Sequence, residues 1–424
     1  MKRGEREIPE IHATRLPGGM FVITEKLPHF HSVSLGFAYR VGARDDPPDR
    51  AGIAHLIEHM IFKGTEELDA KTINIIAESH GAELNGFTDK EGTCFYARFP
   101  KDQSRVVVGL MRQILTAPAF AGPELVKEKE VVREEIRAGD EDPESCALNL
   151  LFTALFGDGP LGRPAIGTLD SIAPITSRDL SEFYQSHYCA ENGVVVAVGA
   201  VDHTELVALL SDFGNQKCGQ SVRQSSLPGQ RSFLVRHRPD ISQVHLCLAV
   251  PVFSYADSRR YALAVLNTAL GGGVSSRLFQ RLREEEGLVY SVGSFIELYQ
   301  DTGLLAVYLS AEQQKLARCI GVLKEELRRL RTDKISRDEF ERALVMTRSA
   351  VLMGMESPIN RMLRLSRAYL ILGRVQTWEE IIAAYNQVTW EQVNSLIEEL
   401  VIEERFYGSA VGPVPEAEMK KVIF

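Results

Sequence analysis

Hydrophobic and polar residues alternate strictly at two well-separated places in the chain. Near the start, Val33, Leu35, Phe37 and Tyr39 alternate with Ser34, Gly36 and Ala38; near the middle, Val244, Leu246, Leu248 and Val250 alternate with His245, Cys247 and Ala249. Period-two alternation predicts a strand at each place. Val33 and Val244 stand 211 residues apart. A polar stretch follows each strand, Arg44-Asp45-Asp46-Pro47 in one and Ser254-Tyr255-Ala256-Asp257 in the other. Helical patterns come next. In the second copy Tyr261, Val265, Leu266, Ala269 and Leu270 form an apolar stripe. The copies also end alike: Ala197-Val198-Gly199 before Val201 matches Ala410-Val411-Gly412 before Val414, at an offset of 213 residues. Two matches at nearly one offset predict a duplicated unit of roughly 210 residues, far longer than a solenoid repeat.

Further helices are predicted over 123–138 and 314–331, which are rich in Leu, Val, Glu, Lys and Arg. Between the copies, Gly214 to Gln230 is rich in Gly, Ser and Gln without apolar period, and reads as a linker. The division predicted is 1–221 and 222–424. The fold class is α+β: two similar domains, each a mainly antiparallel sheet covered by helices.

Composition narrows the function classes. The 424 residues are 45% hydrophobic and 25% charged, the profile of an ordinary globular protein rather than a disordered or fibrous one. A formal net charge of −9 argues against nucleic acid and anionic membrane as partners. No apolar run approaches the ~20 residues of a membrane helix, and no secretory pattern is visible from Met1 to Leu27. The six cysteines (Cys94, Cys146, Cys189, Cys218, Cys247, Cys319) show no C-x-x-C spacing. They read as mostly reduced, partly buried thiols of a cytoplasmic protein, not as a thiolate metal site or a disulfide framework.

The candidate chemistry lies at His55-Leu56-Ile57-Glu58-His59. Ile53, Leu56, Ile57, Met60 and Ile61 supply a helical apolar pattern around it. On a helix, His55 and His59 share a face one turn apart and can bind one metal ion. Glu58 points to the same side, poorly placed as a ligand beside both histidines but able to reach a water. This is the H-x-x-E-H arrangement of a class of zinc peptidases. A third ligand is available in Glu124-Leu125-Val126-Lys127-Glu128-Lys129-Glu130-Val131-Val132-Arg133-Glu134-Glu135-Ile136. Glu128 and Glu135 are seven apart and return to nearly the same face; the local pattern does not choose between Glu134 and Glu135.

His55 through Thr65 resembles the inverted zinc motif of the pitrilysin (M16) metallopeptidases, most closely the short bacterial members and the mitochondrial processing peptidase beta subunit. Asn85 through Tyr96, Leu161 through Thr168, Leu270 through Phe279 and Gly287 through Ser291 match the family in order, so the resemblance spans nearly the whole chain. It implies that Glu135, 76 residues after His59, is the third ligand, and that Glu128 holds a ligand histidine in place. One Zn²⁺ per chain follows, with a position left open to water as in a catalytic site. Glu58 is then the general base, in a zinc-dependent endopeptidase acting on unstructured peptides. By the same resemblance Asn85, Gly86 and Phe87 form the edge that pairs with an extended peptide, although Gly86 stands where Ala is more usual. Arg283 and Tyr290 match the family's substrate-contacting pair.

Residues 1–221 thus read as the zinc-binding catalytic domain. The equivalents of His55, Glu58 and His59 at the 211 offset are Leu266, Ala269 and Leu270, so 222–424 reads as a second domain without a metal site, carrying the Arg283/Tyr290 pair. Long family members carry four such domains in one chain. This chain carries two, which predicts pairing with a second chain. A homodimer suffices, a heterodimer with a metal-free paralogue also fits, and the sequence leaves open which chain supplies Arg283 and Tyr290 to each site. The rival reading is a noncatalytic partner subunit of such an assembly.

Overall fold

The computed structural model describes residues 10–214, 218 and 223–423; part of the predicted linker, and the predicted division at 221/222, lie outside the described residues. Among those described, eleven strands form two sheets. The first contains β1 (Glu10–Arg15), β2 (Phe21–Lys26), β3 (Ser32–Tyr39), β4 (Glu83–Thr88), β5 (Thr93–Pro100) and β6 (Gly193–Gly199), in the order β1-β2-β6-β3-β5-β4. The second contains β7 (Phe233–His237), β8 (Gln243–Val252), β9 (Val289–Leu298), β10 (Gly303–Glu312) and β11 (Tyr407–Gly412), in the order β7-β11-β8-β10-β9. The two orders superimpose strand for strand once β1 is set aside. Each has one parallel pairing at the same place, β2 with β6 and β7 with β11, and is otherwise antiparallel. The duplication predicted from two short sequence matches is therefore a duplication of topology.

The alternation around residues 33–39 reflects two packed layers rather than one packed and one wet face. Every residue from Val33 to Tyr39 is buried. The large side chains face one layer of helices. The small ones face a second layer, the helix Pro358–Leu372: a Cβ on Gly36 would sit 2.7 Å from Met362 Sδ. Met362 and Leu365 complete an apolar cluster with Ile23, Ala38, Val194, Val196 and Val198. Arg361, on the same helix, pairs with the fully buried Glu25 of β2.

This helix belongs to the second half of the sequence, yet it packs in the first compact unit. The chain divides into one unit of residues 1–134, 164–224 and 354–376 and another of 135–163, 225–353 and 377–424. Reciprocally, the helix Pro143–Phe156 from the first half packs in the second unit, where Cys146, Ala147, Leu151 and Leu155 meet Cys247, Ala249, Leu304 and Ala306. A linear cut at 221/222 follows the repeat but not these two exchanged helices. The division also falls inside one continuous helix, Gly122–Glu141.

The reading of the cysteines holds only in part. Cys189 and Cys218 are joined as a disulfide with their Cα atoms 5.7 Å apart, while Cys94, Cys146, Cys247 and Cys319 are free and buried. Twenty-nine residues separate the bonded pair in sequence, so no short-range spacing announces it. Cysteine usage therefore gives no argument for a reducing compartment. Among the described residues no helix is long and apolar enough to cross a membrane.

Candidate metal centre and active site

The histidines sit where the sequence places them, on the helix Ile53–Ile61. Ile53, Leu56, Ile57, Met60 and Ile61 are at most 1% exposed and anchor one face; His55, Glu58 and His59 lie on the other, partly open face. Gly52 starts the helix with φ +93°, a left-handed conformation that favours glycine. A Cβ there would also strike the Ile166 carbonyl oxygen at 2.6 Å. The buried carboxylate of Asp46 caps the helix by accepting the Gly52 N–H at 2.7 Å and the Ala54 N–H at 3.2 Å.

The rings of His55 and His59 have their centroids 4.7 Å apart and stand at 66° to one another. Glu135, on the exposed side of the helix Gly122–Glu141, completes the group: ligand atoms of His55, His59 and Glu135 all lie within 4.8 Å of each other. Glu134, the alternative the sequence left open, is not in that group. Burial, then the neighbouring His59, pushes the His55 pKa down from 6.5 to about 4, so its imidazole is neutral at pH 7 and keeps a lone pair to offer.

One helical turn pair earlier, Glu128 is buried and does something different. Its Oε2 accepts from His59 Nδ1 at 3.2 Å and its Oε1 from Lys63 Nζ at 2.8 Å. A carboxylate can only accept, so Nδ1 of His59 carries the proton and Nε2 is left for a metal. Lys63 was not singled out by sequence reasoning, although it lies four residues after His59, just past the end of the histidine helix. The donor set of two imidazoles and one carboxylate, with an outer carboxylate fixing one ring, fits a catalytic zinc ion. Glu128→Gln is expected to weaken zinc binding about 10- to 100-fold, read by competition with a chelator; unchanged affinity would mean that His59 is held by its packing alone.

Glu58 faces the edge strand β4. A Cβ built on Gly86 would lie 3.0 Å from Glu58 Cγ and 3.5 Å from its Oε1, so the glycine leaves the carboxylate room. Among the described residues strand β4 pairs with β5 on one side only, and Asn85 and Phe87 are exposed on it. Its outer backbone edge is thus open beside a carboxylate and a candidate metal group. Asn85 Oδ1 accepts the Gly86 N–H at 2.8 Å.

Arg283 and Tyr290 lie in the second unit, and the structure brings them together. Arg283 sits on a π-helical turn, Phe279–Glu285, a rare form concentrated at functional sites. Its guanidinium donates to the Tyr290 carbonyl and lies 5.7 Å from the Tyr290 ring centroid. Tyr290 is the second residue of β9 and is 71% exposed. Leu266, Ala269 and Leu270, the counterparts of the metal motif, are buried in the core of this unit.

Comparison with known proteins gives the family and the fold. Residues 21–169 match the family model described as insulinase (peptidase family M16), and residues 174–345 match the one described as the peptidase M16 inactive domain. The chain belongs to the M16 peptidase family. A relative from Mycobacterium leprae, named an uncharacterized zinc protease, is 37% identical over 408 residues, covering 94% of this chain and 91% of its own length. The Bacillus subtilis relative YmxG, named likewise, is 31% identical over 386 residues, covering 91% and 94%. Among solved structures, a peptidase M16 inactive domain from Pseudomonas fluorescens superimposes with a TM-score of 0.88 at 20% identity, covering 96% of this chain and 99% of its own. That last likeness establishes the two-domain M16 fold.

Proposed function

We propose that this M16 family member is a zinc-dependent endopeptidase of extended, unstructured peptides. The observation that carries the proposal is the convergence of ligand atoms from His55, His59 and Glu135 within 4.8 Å, with Glu58 between that group and an open strand edge. Zinc held by those three residues would supply Lewis acidity, making water a competent nucleophile near neutral pH.

The chain's own residues account for the remaining steps. Asn85, Gly86 and Phe87 offer backbone groups to which an extended peptide adds as a further strand. Such pairing reads conformation more than side chains, which favours unfolded substrates and loose sequence preference. Glu58 takes the proton from the attacking water and returns it to the leaving amine. Glu128 keeps His59 in the tautomer that presents Nε2. Arg283 and Tyr290 offer donors for the charge that develops on the carbonyl oxygen. Metal analysis of the purified chain, together with cleavage of a mixed peptide library, tests the proposal. A chain that holds zinc yet cleaves nothing is a noncatalytic subunit instead.

Assembly is part of the same reading. One chain carries both the metal group and the Arg283/Tyr290 pair, so a symmetric homodimer is sufficient, and it is the commonest closed assembly. The active species is expected to sediment as two chains. An active species with the mass of one chain contradicts the dimer. Mixing Glu58→Gln chains with Tyr290→Phe chains then assigns the tyrosine: recovered activity means that it serves the partner's zinc, and no recovery that it serves its own.

A further inference from the structure

Three pieces of the first unit must hold their places for the site to work: the helix Ile53–Ile61, the strand β4 and the turn that joins each to the rest. A buried cluster of charges links them, and its centre is Arg223, at the end of the segment between the two repeats. Its side chain is only 10% exposed. Arg223 Nε and Nη2 both donate to the Asp45 carboxylate, at 2.9 and 2.5 Å. The same Nη2 donates to the Arg40 and Glu91 carbonyls, each at 3.0 Å.

The neighbouring groups extend the bracing in both directions. Asp45 Oδ2 accepts the Gly42 N–H at 3.0 Å, closing the 3₁₀ turn Ala43–Asp45. The next residue, Asp46, is the cap of the histidine helix. On the other side, Glu91 stands in the turn between β4 and β5. Its carboxylate receives Arg44 Nη1 at 2.5 Å, and Arg44 Nη2 donates to the Gln224 carbonyl at 2.7 Å. The backbone follows the same path: the Ala43 and Arg44 N–H groups donate to the Asp89 and Lys90 carbonyls. Arg44, Asp45 and Glu91 are all at most 10% exposed at their side chains.

We propose that Arg223 is a positioning residue that braces the Ala43–Asp46 turn against the β4–β5 turn. By doing so it holds the histidine helix and the peptide-binding edge at a fixed spacing. The guanidinium's planar fork suits it to this: two donors meet one carboxylate while a third direction reaches two carbonyls. A lysine has one charged nitrogen and cannot span the same set. The inference rests on the peptidase reading, and it makes the segment between the repeats a structural input to the site.

The test compares the wild-type chain with Arg223→Ala and Arg223→Lys. Loss of the brace is expected to lower kcat/KM about 10- to 100-fold, the scale of a misplacement of about 1 Å. Zinc affinity, from chelator competition, is expected to fall about tenfold. The visible spectrum of the cobalt-substituted protein should change with it, and millimolar guanidinium should restore part of the activity of Arg223→Ala. Amide exchange should quicken at Gly52 and Ala54 and along 83–93, a readout that needs neither metal nor turnover. A folded Arg223→Ala with wild-type exchange, zinc affinity and spectrum overturns the brace. Should Arg223→Ala not fold, Arg223→Lys is judged by the same readouts. A wild-type chain that binds no zinc and cleaves no peptide overturns the peptidase reading instead, while amide exchange still decides the brace.

Discussion

Glu58→Gln is expected to keep zinc bound and to slow peptide hydrolysis by at least the ~10² lost with a general base. The substitution preserves the shape of the side chain and removes only its basicity. Its surroundings explain why shape matters. Glu58 is held between its own helix and β4, with the Gly86 Cβ position 3.0 Å from its Cγ, so a bulkier replacement would disturb the edge strand as well. Glutamine avoids that disturbance and isolates the proton transfer. The metal group does not include Glu58, which is why metal content should survive. The variant should also retain bound peptides long enough to be captured with them. Unchanged turnover, with zinc content verified, would remove Glu58 from the chemistry.

Metal removal should have a larger effect. A chelator is expected to abolish hydrolysis, and zinc at about one ion per chain to restore it. The decisive comparison is between two adjacent glutamates. Glu135→Gln should lose zinc affinity and activity together, because Glu135 supplies the carboxylate of the three-residue group. Glu134→Gln should change neither by more than a few fold, since its side chain lies outside that group. A Glu135→Gln protein with full zinc content and full activity would strike Glu135 from the ligands. Equal losses in both variants would point to the helix rather than to a particular oxygen.

The two predictions differ in how far the sequence alone supports them. The histidine helix was legible from its own residues, because five apolar positions and two histidines at i and i+4 encode both its buried face and its reactive one. Glu135 was not legible in that way. Glu134 and Glu135 are neighbours in a charged run, and local pattern gives no reason to prefer one; only resemblance selected it, and only the packed helix brings it to the histidines. The same holds for Glu128. Its spacing of seven from Glu135 puts it on the same helix face, but only the resemblance gave it a role, and only the packing buries it against His59 and Lys63.

What the sequence determined by itself is repetition and local register. Strands at 33–39 and 244–250 and the helices after them follow from patterns within a few dozen residues, and their offset and the lack of a second metal motif from setting two such patterns side by side. The tertiary structure decided whatever depends on which distant segments share a surface. It exchanged Pro143–Phe156 and Pro358–Leu372 between the units, buried the small residues of β3 beneath Met362, joined Cys189 to Cys218 and gathered Arg223, Asp45 and Glu91 into one cluster. The physical reason is that periodicity records that a side chain is buried, not what buries it. Partners 29 or 178 residues away leave no trace in a local pattern, because the chain's path through space alone brings them within bonding distance.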